Sequence, residues 1–187
     1  MQETILLVSL GERFDEARAA DMAQRLTDGL AGVAVSAFAA VEEEDTYVYL
    51  RGAREALPEI QARLAESFPG ARARVLHKTL DLPGASAGQD APWHYIVETD
   101  VVPEAEADLN AWYDQEHLPG LASVPGTVRA LRYECRDDAP RYLACYDLHT
   151  RETFGSPPWL AVRATDWSSR VRPSFRNTRR TIFKKIL

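Results

Sequence analysis

The chain has 187 residues, 45% of them hydrophobic, and a formal net charge of −6 with a pI near 5.3. This length and composition suit one large domain or two small ones with a buried core. The acidic balance argues against a nucleic-acid partner, and no apolar run is long enough to cross a membrane. The first residues lack the basic and apolar regions of a signal peptide, which favours a cytoplasmic protein.

The charge is unevenly spread, and the two cysteines have no metal-ligand spacing. Cys135 and Cys145 are consistent with a reducing compartment, and we expect no metal site. No phosphate-binding loop, dinucleotide fingerprint or nucleophile elbow is found, so no cofactor is predicted. Residues 163–187 carry many Arg and Lys but a single acid, Asp166. This basic segment indicates either an anion-binding surface or, more commonly, a solvated face that pairs with acids such as residues 42–45.

The first half of the sequence alternates apolar runs typical of strands with two amphipathic segments typical of helices. The predicted strands are Ile5–Ser9, Val33–Val41, Thr46–Arg51 and Ala71–Leu82, and the predicted helices are Asp15–Leu30 and Ala53–Phe68. The resulting β-α-β-β-α-β order is the ferredoxin-like motif. Residues 83–91 are small, polar and bounded by prolines, which is typical of a linker.

The same order of elements repeats after the linker, although the residues themselves differ. The predicted strands are Trp93–Val102, Thr127–Arg136, Arg141–His149 and Phe175–Ile186, the last being a closing strand or a tail, and the predicted helices are Pro103–His117 and Arg151–Arg163. Pro157-Pro158 should interrupt or restart the last helix. Thr165–Pro173 is expected to be an aromatic and basic loop.

The fold class predicted from this order is α+β, with two tandem ferredoxin-like units at residues 1–82 and 92–187. Helices cover one face of each four-stranded sheet, and the bare face needs another layer. The two sheets are therefore expected to pack face to face as a dimeric-type α+β barrel. Either one chain closes this barrel as a monomer, or a second copy does so in a homodimer. The alternative, two independent modules, would leave both bare faces in water.

One predicted helix ends in a cluster of aromatic and titratable side chains. They are Trp112, Tyr113, Glu116 and His117, and Pro119-Gly120 should stop the helix just after them. A histidine at a helix C-terminus is favoured as imidazolium, and an adjacent carboxylate acts in the same direction. Glu116 and His117 are thus predicted to be a catalytic proton-handling pair. The alternative is a helix end with Trp112 in the core and a polar corner in water.

The second half carries most of the aromatic and titratable residues. All four tryptophans, three of the four histidines and both cysteines lie there. In its strands, alternate residues form one mostly apolar face, expected to meet helices, and one mixed face, expected to line a small-ligand cavity. His94, Arg132 and Tyr133 are the predicted cavity residues, although each also fits ordinary cross-strand pairing.

The second half resembles EthD-like proteins of the dimeric α/β-barrel (ferredoxin-like) superfamily, on the runs WYDQEHLPGLASVPGTVRALRYE, PRYLACYDL and TDWSSRVRPSFRN. The first half matches only in the order of its elements. The resemblance implies a barrel with a small cavity and relatives that include lactone isomerases, polyketide cyclases, cofactor-free monooxygenases and haem-using enzymes. It also implies His117 and Glu116 as the first site residues, followed by Tyr113, Arg132 and Trp167.

We therefore predict an enzyme without a cofactor that moves a proton on a small unsaturated, aromatic or lactone-like compound, as an isomerase, lyase or cyclase does. His117 would be the general acid and base, with Glu116 tuning it, and Arg132 would hold a carboxylate or enolate. One alternative is a protein that binds a small ligand in the same barrel cavity without turning it over. A second alternative is a cofactor-free or haem-using monooxygenase of the same superfamily.

Overall fold

The computed structural model describes residues 4–52 and 54–187. Its strands are β1 Thr4–Ser9, β2 Ala34–Ala40, β3 Thr46–Gly52, β4 Arg72–Pro83, β5 Trp93–Val101, β6 Thr127–Cys135, β7 Tyr142–Leu148 and β8 Phe175–Lys185. Its helices are α1 Glu16–Thr27, α2 Leu57–Ser67, α3 Glu106–Trp112, α4 Leu118–Ala122, α5 Pro157–Val162 and α6 Asp166–Val171. Residues 1–3 and Ala53, where the first predicted unit and the second predicted helix begin, lie outside the described residues.

The strands form two four-stranded sheets with the same internal order. The first sheet runs β4-β1-β3-β2 and the second runs β8-β5-β7-β6, with every pair antiparallel. Strand β2 also pairs with β8, and β4 pairs with β6, so the sheets join edge to edge into one closed barrel. The predicted α+β class with two ferredoxin-like units is confirmed, and one chain closes the barrel by itself.

Alternate residues on the strands separate three hydrophobic layers. One layer fills the barrel and includes Tyr133 and Phe183. A second lies between the first sheet and helices α1 and α2, where Met22 and Ile60 are buried. The third lies between the second sheet and the helices of the second half, around Trp112. Each helical layer is therefore separated from the barrel interior by one sheet.

The inside of the barrel is filled by large side chains and by paired polar groups. The Arg74 guanidinium donates to Glu98 at 2.5 Å, and Tyr47 Oη donates to the same carboxylate at 2.7 Å. His94 stacks on Phe38 with 4.6 Å between ring centroids. Packed side chains therefore take up most of the space between the sheets, where the sequence predicts a ligand cavity. A cavity of about 90 Å³ remains beside Tyr47, Arg74 and Glu98.

The third helical region is longer than predicted. A π-helical turn, Tyr113–His117, joins α3 to α4 without a break. The predicted stop at Pro119-Gly120 is wrong, because the helix continues to Ala122. The Leu118 N–H donates to the Tyr113 carbonyl across the wide turn. Pro119 then lies in the first turn of α4, where its missing N–H costs little.

Helix α6 replaces the loop predicted at Thr165–Pro173. Thr165 caps the helix, because its Oγ1 accepts from the Ser168 N–H at 3.0 Å. Asp166 adds a negative charge in the first turn, where the helix dipole favours it. Local capping thus stabilises a helix too short to give a periodic pattern in the sequence.

The segment that follows β4 lies against the second half. The Gly84 N–H donates to the Val128 carbonyl at 2.9 Å, and the Ala85 N–H donates to the Ala122 carbonyl at 2.8 Å. A Cβ on Gly84 would come within 2.0 Å of the Thr127 carbonyl oxygen, so only glycine permits this approach. Within the described ranges, no helix has the length and apolar character needed to cross a membrane.

Candidate functional site

A cavity lies between the second sheet and the helices that cover it. Its volume is about 20 Å³, room for about one water molecule. It adjoins a recess of about 200 Å³ that shares Tyr95, Arg163 and Arg180 with it. Its aromatic side chains are Tyr95, Trp112, Tyr113, Tyr146, Trp159 and Phe175. We call this cavity the aromatic pocket. The apolar face of the second sheet meets the helices, as predicted, and it is this face that lines the pocket. The mixed face, which was predicted to line the pocket, faces the barrel interior instead.

His117 lines the pocket from the π-helical turn. Its ring stacks on Trp112 with 4.1 Å between centroids and 20° between planes. In an α-helix, residues five apart lie about 140° apart around the axis, whereas the wider turn brings these two rings together. Burial, together with the charges of Arg163 and Arg172, lowers the pKa of His117 to about 3. The predicted imidazolium is therefore wrong, and His117 is uncharged at neutral pH.

Three buried polar atoms of the pocket wall have no hydrogen-bond partner among the described residues. They are His117 Nδ1, Tyr146 Oη and Trp159 Nε1. Buried polar groups are nearly always paired, and an unpaired one costs about 1–3 kcal/mol. All three side chains line the same cavity. The wall thus offers a ligand one hydroxyl, one indole N–H and one imidazole nitrogen.

Three arginines, Arg163, Arg172 and Arg180, also line the pocket. None of their guanidinium groups has a hydrogen-bond or ion-pair partner in the described part of the chain. Arg180 is exposed and the other two are half-buried. Burial and the charges of the other two arginines lower the pKa of Arg172. Positive charge from the basic segment is therefore concentrated at one side of the pocket.

Glu116 is bonded to groups other than His117. Its Oε1 accepts from Trp112 Nε1 at 3.2 Å and from Thr165 Oγ1 at 2.5 Å. Consecutive helical residues point in different directions, so adjacency in sequence does not bring their side chains together. Glu116 therefore makes no hydrogen bond to His117, and its contacts do not support the predicted tuning of that histidine. Glu116 instead joins the π-helical turn to the cap of α6.

Tyr113 lines the pocket, whereas the Arg132 guanidinium is bound outside it. Arg132 donates to Asn110 Oδ1 at 2.6 Å and to Asp114 Oδ1 at 3.3 Å. It also lies over the Tyr113 ring, 4.6 Å from the centroid. Burial raises the pKa of Tyr113, so its hydroxyl stays protonated at neutral pH. The predicted carboxylate-holding role of Arg132 is not supported, because the side chain does not line the pocket and two of its nitrogens bind Asn110 and Asp114.

Trp167 lies on α6 and joins this helix to α3. Its Nε1 donates to Asp108 Oδ1 at 2.9 Å, and Arg170 pairs with the same carboxylate at 2.9 Å. The side chain packs against the helical core without lining the aromatic pocket. Trp167 was predicted to shape the pocket, but it does not line it. Its hydrogen bond to Asp108 holds α6, the helix that leads to Arg172, against α3.

His94 and Tyr133 lie inside the barrel, on the other side of the sheet. His94 Nε2 is 3.0 Å from Tyr49 Oη, and His94 Nδ1 is 2.6 Å from Asp147 Oδ1. His94 and Asp147 are direct cross-strand partners. Burial raises the pKa of Tyr133. Neither His94 nor Tyr133 reaches the aromatic pocket. His94 makes the ordinary cross-strand pair that was the alternative interpretation.

Sequence reasoning missed most of the pocket wall. The missed residues are Tyr95, Val97, Leu121, Tyr146, Trp159, Arg163, Arg172, Phe175 and Arg180. Tyr95 and Tyr146 are aligned on β5 and β7, so their pairing was a usable signal. The basic segment was identified as an anion-binding alternative, but nothing in the sequence indicated which of its arginines share a pocket.

The described residues contain no cluster of three or more metal-ligand side chains. His94 lies in the barrel and His117 lies outside it, so a shared site for them is not formed. A haem would need a flat slot between the sheet and the helices. Tyr95, Tyr146 and Trp159 instead contact one another, with 5.3 to 6.1 Å between ring centroids. The residues of the pocket therefore do not fit a haem.

No family model and no curated protein sequence matches the chain. Solved structures do. A candidate monooxygenase from Fusobacterium nucleatum subsp. nucleatum ATCC 25586 has a TM-score of 0.69 at 10% identity, over 100% of this chain and 93% of that one. An anthrone oxidase-like protein has a TM-score of 0.66 at 14% identity, over 99% of this chain and 92% of that one. A candidate chlorite dismutase has a TM-score of 0.67 at 10% identity, over 99% of this chain and 95% of that one.

These structures match nearly the whole chain. The chain has the dimeric α/β-barrel fold. At these identities the similarity shows the fold alone, because one fold supports many chemistries. The activity must therefore be argued from the pocket's own residues.

Proposed function

We propose that the protein is a cofactor-independent oxygenase that deprotonates a small aromatic compound and lets O₂ oxidise the resulting anion. The observation that carries this proposal is an uncharged His117 with an unpaired Nδ1 in an aromatic-walled cavity. The names of two structural neighbours, a candidate monooxygenase and an anthrone oxidase-like protein, support oxidation over isomerisation. Within the dimeric α/β-barrel fold, the Trp112-to-Pro119 motif supports placing the chain among EthD-like proteins.

In this reaction His117 acts as the base. A neutral imidazole has a lone pair that accepts a proton from an acidic C–H beside an aromatic carbonyl. Tyr146 Oη and Trp159 Nε1 are donors without partners in the described structure, and they can hydrogen-bond the enolate oxygen as its charge develops. The aromatic rings keep water away from the anion. A planar substrate enters from the adjoining recess of about 200 Å³ and requires the pocket side chains to move apart.

The oxidation balances without an outside reductant. A methylene substrate reacts as R₂CH₂ + O₂ → R₂C=O + H₂O. Two C–H bonds break, one oxygen atom enters the new carbonyl group, and the other leaves as water with both protons. The substrate carbon supplies all four electrons, so the chemistry asks the protein only for a base, an oxyanion site and a dry pocket.

The other interpretations have less support. The isomerase or lyase mechanism relied on Glu116 and Arg132, and both side chains are bonded elsewhere. Binding without turnover would suit a His117 that hydrogen-bonds the carbonyls of the following loop. Its Nδ1 instead lacks a partner among the described residues, and its ring lines the pocket.

Oxygen uptake with anthrone as the probe tests this proposal. The wild-type protein should consume one O₂ for each anthraquinone formed, above the rate in buffer. His117→Gln should lower the rate at least about 100-fold, because it removes the base. Tyr146→Phe should lower it about tenfold by removing an oxyanion donor. His149→Gln, at an exposed histidine outside the pocket, is the matched control.

Two results would reject the proposal. An unchanged rate in His117→Gln would remove His117 as the base. Equal O₂ uptake with and without protein, across anthrone and other aromatic carbon acids, would reject the oxygenase itself.

A further inference from the structure

Two residues of the π-helical turn contact the same indole ring. The Trp112 ring face stacks on His117, with 4.1 Å between centroids and 20° between planes. The Trp112 Nε1 donates to Glu116 Oε1 at 3.2 Å. Because the indole N–H lies in the plane of the ring, a hydrogen bond to it restricts how the ring face can turn or slide. Glu116 therefore fixes the surface on which the imidazole packs.

Glu116 is itself held by the cap of α6. Its Oε1 also accepts from Thr165 Oγ1 at 2.5 Å, and Thr165 Oγ1 accepts from the Ser168 N–H at 3.0 Å. Glu116 is half-buried, so water competes less for these bonds than it would on an exposed surface. Two hydrogen bonds and one ring contact thus connect the cap of α6 to the His117 ring.

The position of the His117 ring depends on its aromatic neighbours. Its Nδ1 has no partner among the described residues, so no hydrogen bond to that atom orients the ring. Trp112 stacks on one face, and the Tyr113 ring lies edge-on with 5.4 Å between centroids. His117 is 7% exposed, and the charges that oppose its protonation are those of Arg163 and Arg172. Packing therefore decides both the direction of the imidazole and its contact with water.

We propose that Glu116 is a positioning residue, which holds Trp112 in place so that Trp112 holds the His117 ring in the pocket wall. Glu116 does not line the pocket itself. It acts through packing, whereas the sequence predicts a direct effect of its charge. As a statement about catalysis the inference rests on the proposed function, but the arrangement of the three side chains is measured without a substrate.

The direction of one pKa change distinguishes packing from charge. A nearby carboxylate favours imidazolium, so loss of the Glu116 charge alone would lower the pKa of His117 further. Loss of the hydrogen bond to Trp112 would instead loosen the stack and let water reach the imidazole, which raises that pKa. NMR of the His117 Cε1–H group should therefore show Glu116→Ala titrating between about pH 7 and pH 5, where the wild-type ring, with a pKa of about 3, stays neutral.

Two further variants separate the hydrogen bond from the charge. Glu116→Gln removes the charge but keeps an oxygen that can accept from Trp112 and Thr165, so His117 should stay neutral over the same pH range. Trp112→Phe keeps the charge and an aromatic face but loses the N–H, so His117 should titrate as in Glu116→Ala. Trp112→Phe also replaces Glu116→Ala in the test if circular dichroism shows that the latter does not fold.

Asp114→Ala is the matched control. Asp114 lies in the same π-helical turn, is exposed and pairs with Arg132 at 3.3 Å. Its replacement removes the same charge from the same turn without removing a bond to Trp112. His117 should therefore stay neutral in this variant over the same pH range.

Oxygen uptake with anthrone adds a kinetic measurement. A displaced base slows the chemical step more than it weakens substrate binding, because the reaction depends on close alignment of the reacting atoms. Glu116→Ala should lower kcat at least about tenfold and change KM by less than about threefold. Glu116→Gln should recover most of the lost kcat, and Asp114→Ala should match the wild type.

Three outcomes would overturn the inference. They are a His117 ring that stays neutral in Glu116→Ala (or in Trp112→Phe where that variant replaces it), the same titration in Asp114→Ala, and a titration in Glu116→Gln equal to that in Glu116→Ala. The expected titrations without O₂ uptake by the wild-type protein would reject the proposed function and keep the positioning of His117 by Glu116. O₂ uptake by the wild type with a neutral His117 in Glu116→Ala would reject this inference alone.

Discussion

At the scale of single residues, His117 links the pocket to the pH dependence of stability. Its folded-state pKa of about 3 lies below the ordinary value of 6.5, because burial and two arginines oppose its positive charge. Between these two values the unfolded chain binds a proton that the folded chain does not. Stability contributed by the neutral ring is therefore complete above pH 6.5 and is lost as the pH falls toward 3.

Replacing His117 with Gln should remove this proton linkage. Between pH 7 and pH 5, the free energy of unfolding of the wild-type protein should fall by about 2 kcal/mol more than that of the variant. Urea titrations at a series of pH values measure the difference. His149→Gln serves as the control, since it removes a histidine without altering the pocket. Parallel pH profiles for His117→Gln and the wild type would contradict the low pKa.

Which residues face the pocket was only partly predictable from the sequence. His117 and Tyr113 were found because a proline-rich helix end with aromatic and titratable groups is a visible pattern. His94 was placed in a cavity because polar residues on a strand indicate a wet face. Its partners Tyr49 and Asp147 satisfy it inside the barrel instead, and such pairing is invisible until the strand register is known.

At the scale of elements, the π-helical turn lets the helix pass through Pro119. In a continuous α-helix, a proline ring collides with the carbonyl four residues before it and removes a hydrogen bond. The wide turn shifts the pairing, so that the Leu118 N–H reaches the Tyr113 carbonyl. The same turn places the His117 ring on Trp112, so one backbone feature serves both the helix and the pocket.

Deletion of Gln115, an exposed residue of this turn, should convert it to an α-helical turn and restore the proline clash. We expect a loss of about 3 kcal/mol in the free energy of unfolding. Pro119→Ala should recover most of that loss in the deletion background, yet change the wild-type protein by less than about 1 kcal/mol. Denaturant unfolding of the wild type, the Gln115 deletion, Pro119→Ala and the double variant gives the coupling free energy between the two changes. Additive effects would argue that the turn does not accommodate Pro119.

Element types were largely predictable because alternation and helical spacing are strong in this chain. The predicted strands match β1–β8 to within one or two residues at most ends. The helix ends were not predictable to the same degree, since Pro119-Gly120 looks like a stop unless the preceding turn is wide. Helix α6 was missed because a hydrogen bond from Ser168 to Thr165, and not periodicity, stabilises it.

At the scale of the whole molecule, the barrel closes through two unequal seams. The β2–β8 pairing spans only Phe38–Ala40 against Phe183–Lys185, extended by bonds such as Ile186 N–H to the Ala37 carbonyl at 2.9 Å. The β4–β6 pairing runs from Leu76 to Pro83. The shorter seam has three paired residues on each strand, so fewer ladder hydrogen bonds hold it closed.

The shorter seam should therefore open first. In native-state hydrogen exchange followed by NMR, the amides of Ala37 and Ile186 should exchange at least about tenfold faster than amides in the middle of the β4–β6 pairing, because local opening needs less free energy there. Equal protection at both seams would show that the barrel opens only by global unfolding.

The two halves put the space between sheet and helices to different uses. In the first half, Met22, Leu26, Ile60 and Leu64 fill it, whereas the second half holds the aromatic pocket. A symmetric assembly of two identical subunits would repeat its pocket, and the first occupant could then influence the second. A barrel made from one chain escapes this duplication. Each molecule would take up one equivalent of ligand, with a hyperbolic saturation curve and a Hill coefficient of one.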